Sequence, residues 1–223
     1  MSSSTPSAAE WPEPAAAIFA LLAGFALSIS LAALGGRQLV EILLPLLQAP
    51  ILWLDDRFAI LFLGIDHTAQ DTVIRLRVNL IRLLVIGTHV VEPHPKGWLE
   101  VTTTVGAMLQ PLTIGLGLAL ACPGRISQRL ARAALACAGG LLFMLVDIPL
   151  TLHAYTWDMF LAAYDPGHFS PLMTAHRFLH GGGRLGIGVA LGTMAILALS
   201  QNRQRDGKAS LETTETKAFS AGS

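Results

Sequence analysis

The sharpest chemical feature of this sequence is a pair of opposite charges inside otherwise uncharged runs. Asp147 lies fourteen residues into one run, 133–152, and Arg184 lies sixteen residues before Ser200, where the next run closes. At about 1.5 Å per residue, both fall roughly 21–24 Å from the same boundary if the two runs are antiparallel helices. A lone charge at that depth in a bilayer costs a few kcal/mol or more, so matched depths predict an ion pair. Its simplest role is to lock two helices, and the alternatives are contact with a substrate or snorkelling of Arg184 to the headgroups.

Around that arginine the sequence is rich in glycine. Gly182, Gly183 and Gly186 give a small-xxx-small pattern that lets helices approach closely. A phosphate-binding loop is excluded, because no strand precedes these glycines and no Lys-Ser/Thr follows them. His176 and His180 stand at i and i+4 on one helix face, a spacing compatible with a metal, and His153 is placed on the same side of the membrane. Asp158, Asp165 and Glu92 are further candidates there, yet no HExxH pattern occurs, so no metal or cofactor is assigned. Cys122 and Cys137 fall toward the opposite side, out of hydrogen-bond reach of the histidines, so a Cys–His dyad is not expected. Neither cysteine has metal-ligand spacing.

The elements that must position these groups follow from hydropathy. Of 223 residues, 52% are hydrophobic and 13% charged, with lysine plus arginine balancing aspartate plus glutamate. That is half the usual charge of a globular domain, and the balance gives no bulk attraction for nucleic acid. Residues 15–34 form a first apolar run long enough to cross a hydrocarbon core, read as an uncleaved helix because no basic residue precedes it. The preceding 1–14 are polar or proline-containing and expected to be flexible. Residues 37–53 are interrupted by Glu41, Pro45, Gln48 and Pro50, which predicts an interfacial helix rather than a second span.

Strand character follows. Ile74, Leu76, Val78 and Leu80 alternate with Arg75, Arg77 and Asn79, flanked by short apolar runs at 58–63 and 83–91. The region 35–100 is therefore expected to hold the interfacial helix and a three- or four-stranded insert that displays Arg75 and Arg77. Further spans are expected at 101–121, 133–152 and 185–200. Between them lie a loop at 122–132 and a loop with a short helix at 153–184, and a disordered tail occupies 201–223. Arg125, Arg129 and Arg132 in the first loop, with Arg203, Arg205 and Lys208 after the last span, are basic. The positive-inside rule makes both segments cytoplasmic. The expected class is a mainly α membrane protein with four transmembrane helices, N-in and C-in, and the insert and histidine loop outside.

Several short segments together resemble the small membrane proteins that accompany bacterial exosortases, in particular the exosortase H-associated type. They are Leu43-Leu44-Pro45-Leu46, the arginine-bearing strand, Gly87-Thr88-His89-Val90-Val91 leading to Gly97, and Leu109-Gln110-Pro111-Leu112. Asp147-Ile148-Pro149-Leu150 and Phe178-Leu179-His180-Gly181-Gly182-Gly183-Arg184 complete the set, so the resemblance spans roughly residues 35–195. It implies the bacterial inner membrane and a sorting system that recognises a C-terminal signal of short motif, transmembrane helix and basic tail. The exosortase itself is a larger multi-span cysteine enzyme, so the role implied here is a non-catalytic accessory. Its partners would be membrane lipid and an exosortase or a sorted substrate. Arg75 and Arg77 are the candidate partner-binding residues, and an extended segment adding to the sheet edge is the expected mode. The competing expectation is a redox or metal-dependent membrane enzyme built on His153, His176 and His180. A secondary carrier is not supported by four spans without an inverted repeat.

Overall fold

The computed structural model describes residues 14–68, 71–167 and 169–200. Of the flexible segment expected at 1–14, all but Pro14, which opens the first helix, lies outside them, as does the tail expected at 201–223.

The first helix, α1, is Pro14–Leu54, a single rod of 41 residues and about 60 Å. This corrects the reading of a span at 15–34 followed by a separate interfacial helix. Gly35-Gly36 does not break it, and Pro45 and Pro50 are carried inside it. Each proline forfeits a backbone hydrogen bond. Burial offsets that loss: Val40, Leu43, Leu47 and Ile51, spaced three and four apart, form one buried stripe in the second half.

The chain then forms β1 (Phe58–Thr68) and β2 (Asp71–Leu80), a short hairpin β3 (Leu84–Ile86) and β4 (His89–Val91), and β5 (Leu99–Thr104). The sheet is antiparallel with order β1-β2-β5, and the hairpin stands apart from it. The period of two in β2 holds: Ile74, Leu76, Val78 and Leu80 are buried, while Arg75, Arg77 and Asn79 lie on the partly exposed face. Two expectations fail here. The run at 83–91 turns back on itself at Gly87, which has φ 57°, a value glycine tolerates best. The third strand is instead Leu99–Thr104, whose last four residues fall within the span expected at 101–121.

Helix α2 therefore begins only at Val105 and ends at Ala121. Helix α3, Ile126–Tyr164, has 39 residues and runs well past the span expected at 133–152. The segment 153–164, expected as a loop, is its last three turns, because Ala154, Phe160 and Leu161 are buried in the core. Helix α4 (Pro171–Phe178) passes through a wide π-type turn, Leu179–Gly183, into a last helix, α5, residues 184–200. Three helices, Pro14–Leu54, Ile126–Tyr164 and Pro171–Ser200, are long and apolar enough to cross a membrane. Helix α2 is apolar but shorter, at 17 residues.

Glycines set the packing of α1, α2, α3 and α5. Gly24 meets Gly117 and Ala121, and Gly36 meets Leu109, so α1 and α2 run antiparallel. Gly188 meets Ile114 and Pro111, and Gly192 meets Leu118 and Gly115, so α5 runs parallel to α2. Gly140 seats Leu112, and Gly139 seats Leu191. The bundle thus has two unlike ends. One carries Arg125, Arg129 and Arg132, and is called the arginine end here. At the other, the sheet packs on the upper halves of α1 and α3 around one apolar core that includes Leu47, Leu76, Met108 and Ile148.

Candidate functional site

The structure brings Asp147 and Arg184 together. Arg184 Nε donates to Asp147 Oδ2 at 2.7 Å and Nη2 donates to Oδ1 at 3.2 Å. Thr151, one turn above Asp147, completes the cluster: its hydroxyl accepts from Arg184 Nη2 at 2.7 Å and donates to Asp147 Oδ1 at 3.2 Å. Asp147 and Arg184 are 1% and 2% exposed, so the pair is sealed from solvent and lipid alike. Thr151 was missed in the sequence, although its i+4 spacing from Asp147 was the available signal.

The glycines beside Arg184 act differently from the expectation. Gly182 has φ 121° and ψ −6°, and nothing approaches the position its Cβ would take. It is the residue that permits the wide turn, and it packs no neighbouring helix. Gly186 also faces open space, and Gly183 meets only Phe178 of its own turn. The small-residue contacts between helices fall farther on, at Gly188 and Gly192.

The histidines separate into two environments. His176 and His180 stack with centroids 5.9 Å apart, and Tyr155 meets His176 edge-on at 4.6 Å. The Nδ1 of His176 is buried without a hydrogen-bond partner. His153, two residues from Tyr155 on α3, points about 200° around the helix from it and joins another cluster. Among the described residues no three His, Cys, Asp or Glu side chains gather as a metal would require. The three-histidine cluster expected at 153, 176 and 180 is therefore not formed.

The cluster that His153 joins was not foreseen. Asp55, just past the end of α1, accepts from Arg57 Nε and Nη2, both at 2.7 Å, and from the Arg57 amide at 3.0 Å. His153 Nε2 lies 4.0 Å from Asp55, Arg57 sits 5.4 Å over the Trp157 ring, and Phe58 packs on Phe160. Burial pushes the Asp55 carboxyl up, but the hydrogen bonds and charge of Arg57 outweigh it and hold it below its ordinary value. The same hydrogen bonds raise Arg57. The arrangement staples the end of α1 to α3. In sequence, Asp55-Asp56-Arg57 reads as a surface charge cluster, and only the fold brings His153 and Trp157 to it.

Arg75 and Arg77 are not freely displayed. Arg75 bridges Asp66 at 3.0 Å and Glu100 at 3.1 Å. Arg77 donates to Glu100 at 2.5 Å and lies 4.9 Å over Trp98. The register explains this: Glu100 on β5 sits directly opposite Arg77. A partner reaching Arg75 would compete with two carboxylates, whereas Arg77 is bonded through Nε alone and stays half-exposed.

What the sheet end does expose is apolar. β1 has a sheet partner on one side only. The register slips between Ile60 and Phe62, leaving Leu61 as a bulge, so that Leu61 and Phe62 are both exposed. Between this strand and the end of α1 lies an open groove of about 490 Å³, lined by Gln48, Leu52, Asp56, Leu61, Phe62 and Ile81 among others. On α1 itself Ile42, Leu46 and Trp53, the last 87% exposed, form a bare apolar stripe on the same half of the helix. No family model, curated protein or solved structure matches the chain.

Proposed function

We propose that this chain is a non-catalytic accessory protein of an exosortase-type sorting system in the bacterial inner membrane. In this reading α1, α2, α3 and α5 all cross the bilayer, with α2 reaching the interface through β5. The arginine end is cytoplasmic by the positive-inside rule, and the sheet end faces outward. The protein holds an extended segment of an exosortase or of a sorted substrate against the free edge of β1.

One observation carries the reading: the unpaired edge of β1 borders an apolar groove, beside the bare stripe on α1. A contiguous exposed apolar patch of this kind marks a face covered by a partner or by membrane, and in this reading the β1 edge lies beyond the bilayer. An edge strand supplies main-chain donors and acceptors, and flanking pockets supply selectivity. Support for the buried Asp147–Arg184–Thr151 cluster as a lock comes from its complete closure, which leaves no face for a substrate.

The test is recovery of the tagged protein from its native membrane in mild detergent, with co-purifying proteins identified by mass spectrometry. An exosortase or a protein ending in a sorting helix should be recovered with the wild type. It should be lost with Leu61→Asp/Phe62→Asp and retained with Arg75→Ala. Recovery of the chain alone, or equal recovery with the edge variant, contradicts the proposal.

A further inference from the structure

At the arginine end, the loop joining α2 to α3 and the first turns of α3 place Arg125, Arg129 and Arg132 within eight residues, with no acid among them. No ion pair to any of the three forms among the described residues. The acids of the described residues belong to α1's second half, the sheet end and the Asp147 cluster. Arg132 is 8% exposed; its Nη1 donates to the Pro123 carbonyl at 3.0 Å and more weakly to that of Cys122, while its Nε has no partner. The Nε of Arg129 is likewise buried without one. Among the described residues these two guanidinium groups, partly removed from water, have no counter-charge, which is unfavourable and leaves the described site electrostatically incomplete.

Beside them is the space for what would complete it. A groove of about 390 Å³ runs between the start of α1 and the end of α2, walled by Ala16, Ala17, Ala20, Leu118 and Ala121 and closed at the loop by Arg129. The wall is apolar and built from small residues, and the guanidinium sits at its mouth. Helix α3 opens at this end of the bundle without a side-chain cap, so the positive end of its dipole lies on the arginine side of the groove. We infer that this groove binds one anionic phospholipid, its phosphodiester on Arg129 and the first turn of α3 and an acyl chain along the alanine wall. A free anion would leave the apolar groove empty, and a zwitterionic lipid would bring its own cation to three arginines. The inference depends on the bundle lying in a membrane, and is independent of any partner at the sheet end.

The experiment is native mass spectrometry of the full chain in mild detergent, with phosphatidylglycerol and phosphatidylcholine offered at equal concentration. The wild type should retain phosphatidylglycerol preferentially, and Arg129→Gln should reduce that preference about fivefold, the effect of one arginine near an anionic surface. Arg129 makes no side-chain bond among the described residues, so this variant breaks none. Ala17→Trp, which fills the groove and keeps every arginine, should release both lipids. Excess inorganic phosphate should displace neither. Equal retention of the two lipids, undiminished phosphatidylglycerol in either variant, or displacement by inorganic phosphate overturns the inference.

Discussion

Removing Arg184 while leaving Asp147 in place should be among the most damaging single changes in the bundle. In Arg184→Met the carboxylate keeps only the Thr151 hydroxyl, at 3.2 Å, in a site 1% exposed. Breaking one side of a buried pair costs about 3–5 kcal/mol, chiefly for the charge left behind. Asp147→Leu strands the guanidinium in the same way. The double variant strands neither charge, so it should be no less stable than the worse single variant. The coupling energy should then be at least the smaller single loss, about 3 kcal/mol, well above the roughly 0.6 kcal/mol average for polar contacts between membrane helices. The two effects are separable because an ordinary contact would give nearly additive losses. Thermal melts of the four proteins in one detergent, followed by gel filtration, supply the cycle. Additive losses, or single variants within about 0.5 kcal/mol of wild type, would refute the claim that this cluster is a sealed charge lock.

Three further outcomes follow from particular residues. Gly182→Ala should destabilise by about 1–3 kcal/mol because of its positive φ, whereas Gly186→Ala, facing open space on a helix, should stabilise by about 0.5–1 kcal/mol; thermal melts that reverse these signs contradict the assignment of the turn. Gly188→Leu should lose folded protein, since even a Cβ there comes within 2.8 Å of Ile114 Cβ and 2.9 Å of the Pro111 carbonyl. Asp55 titrates below its ordinary 3.8, so its contribution is full above that value and is lost as the pH falls through the lowered one. Asp55→Asn should therefore weaken the protein at neutral pH and flatten the acid limb of its stability below about pH 4; a curve parallel to wild type down to acid denaturation would exclude the role.

The sequence was most informative where one physical rule dominated. A bilayer punishes unpaired charge, so depth alone paired Asp147 with Arg184, although Thr151 between them carried too little signal to be singled out. The alternation of β2 was legible because one face is buried. β5 was not, because its six residues run without a break into the apolar helix α2. The continuity of α1 was hidden for a different reason. Two prolines and two glycines predict a break locally, and only the buried stripe from Val40 to Ile51 against the sheet reverses that preference. Arg75 and Arg77 looked free because their partner, Glu100, lies twenty-three residues beyond Arg77 in a strand not recognised as one. The Asp55 staple and the groove beside β1 arise from elements distant in sequence, and no local pattern marks either.

The most direct test of the proposed function is photo-crosslinking in living cells from a reactive amino acid placed singly at Leu61, at Phe62 or, as a control, at Val146 on the outer surface of α3. The account predicts an adduct from Leu61 and Phe62, absent at Val146, joining this chain to an exosortase or to a protein bearing a C-terminal sorting helix, with the crosslink mapping to an extended segment. Adducts of equal yield from all three positions, or none from the β1 edge, would contradict it.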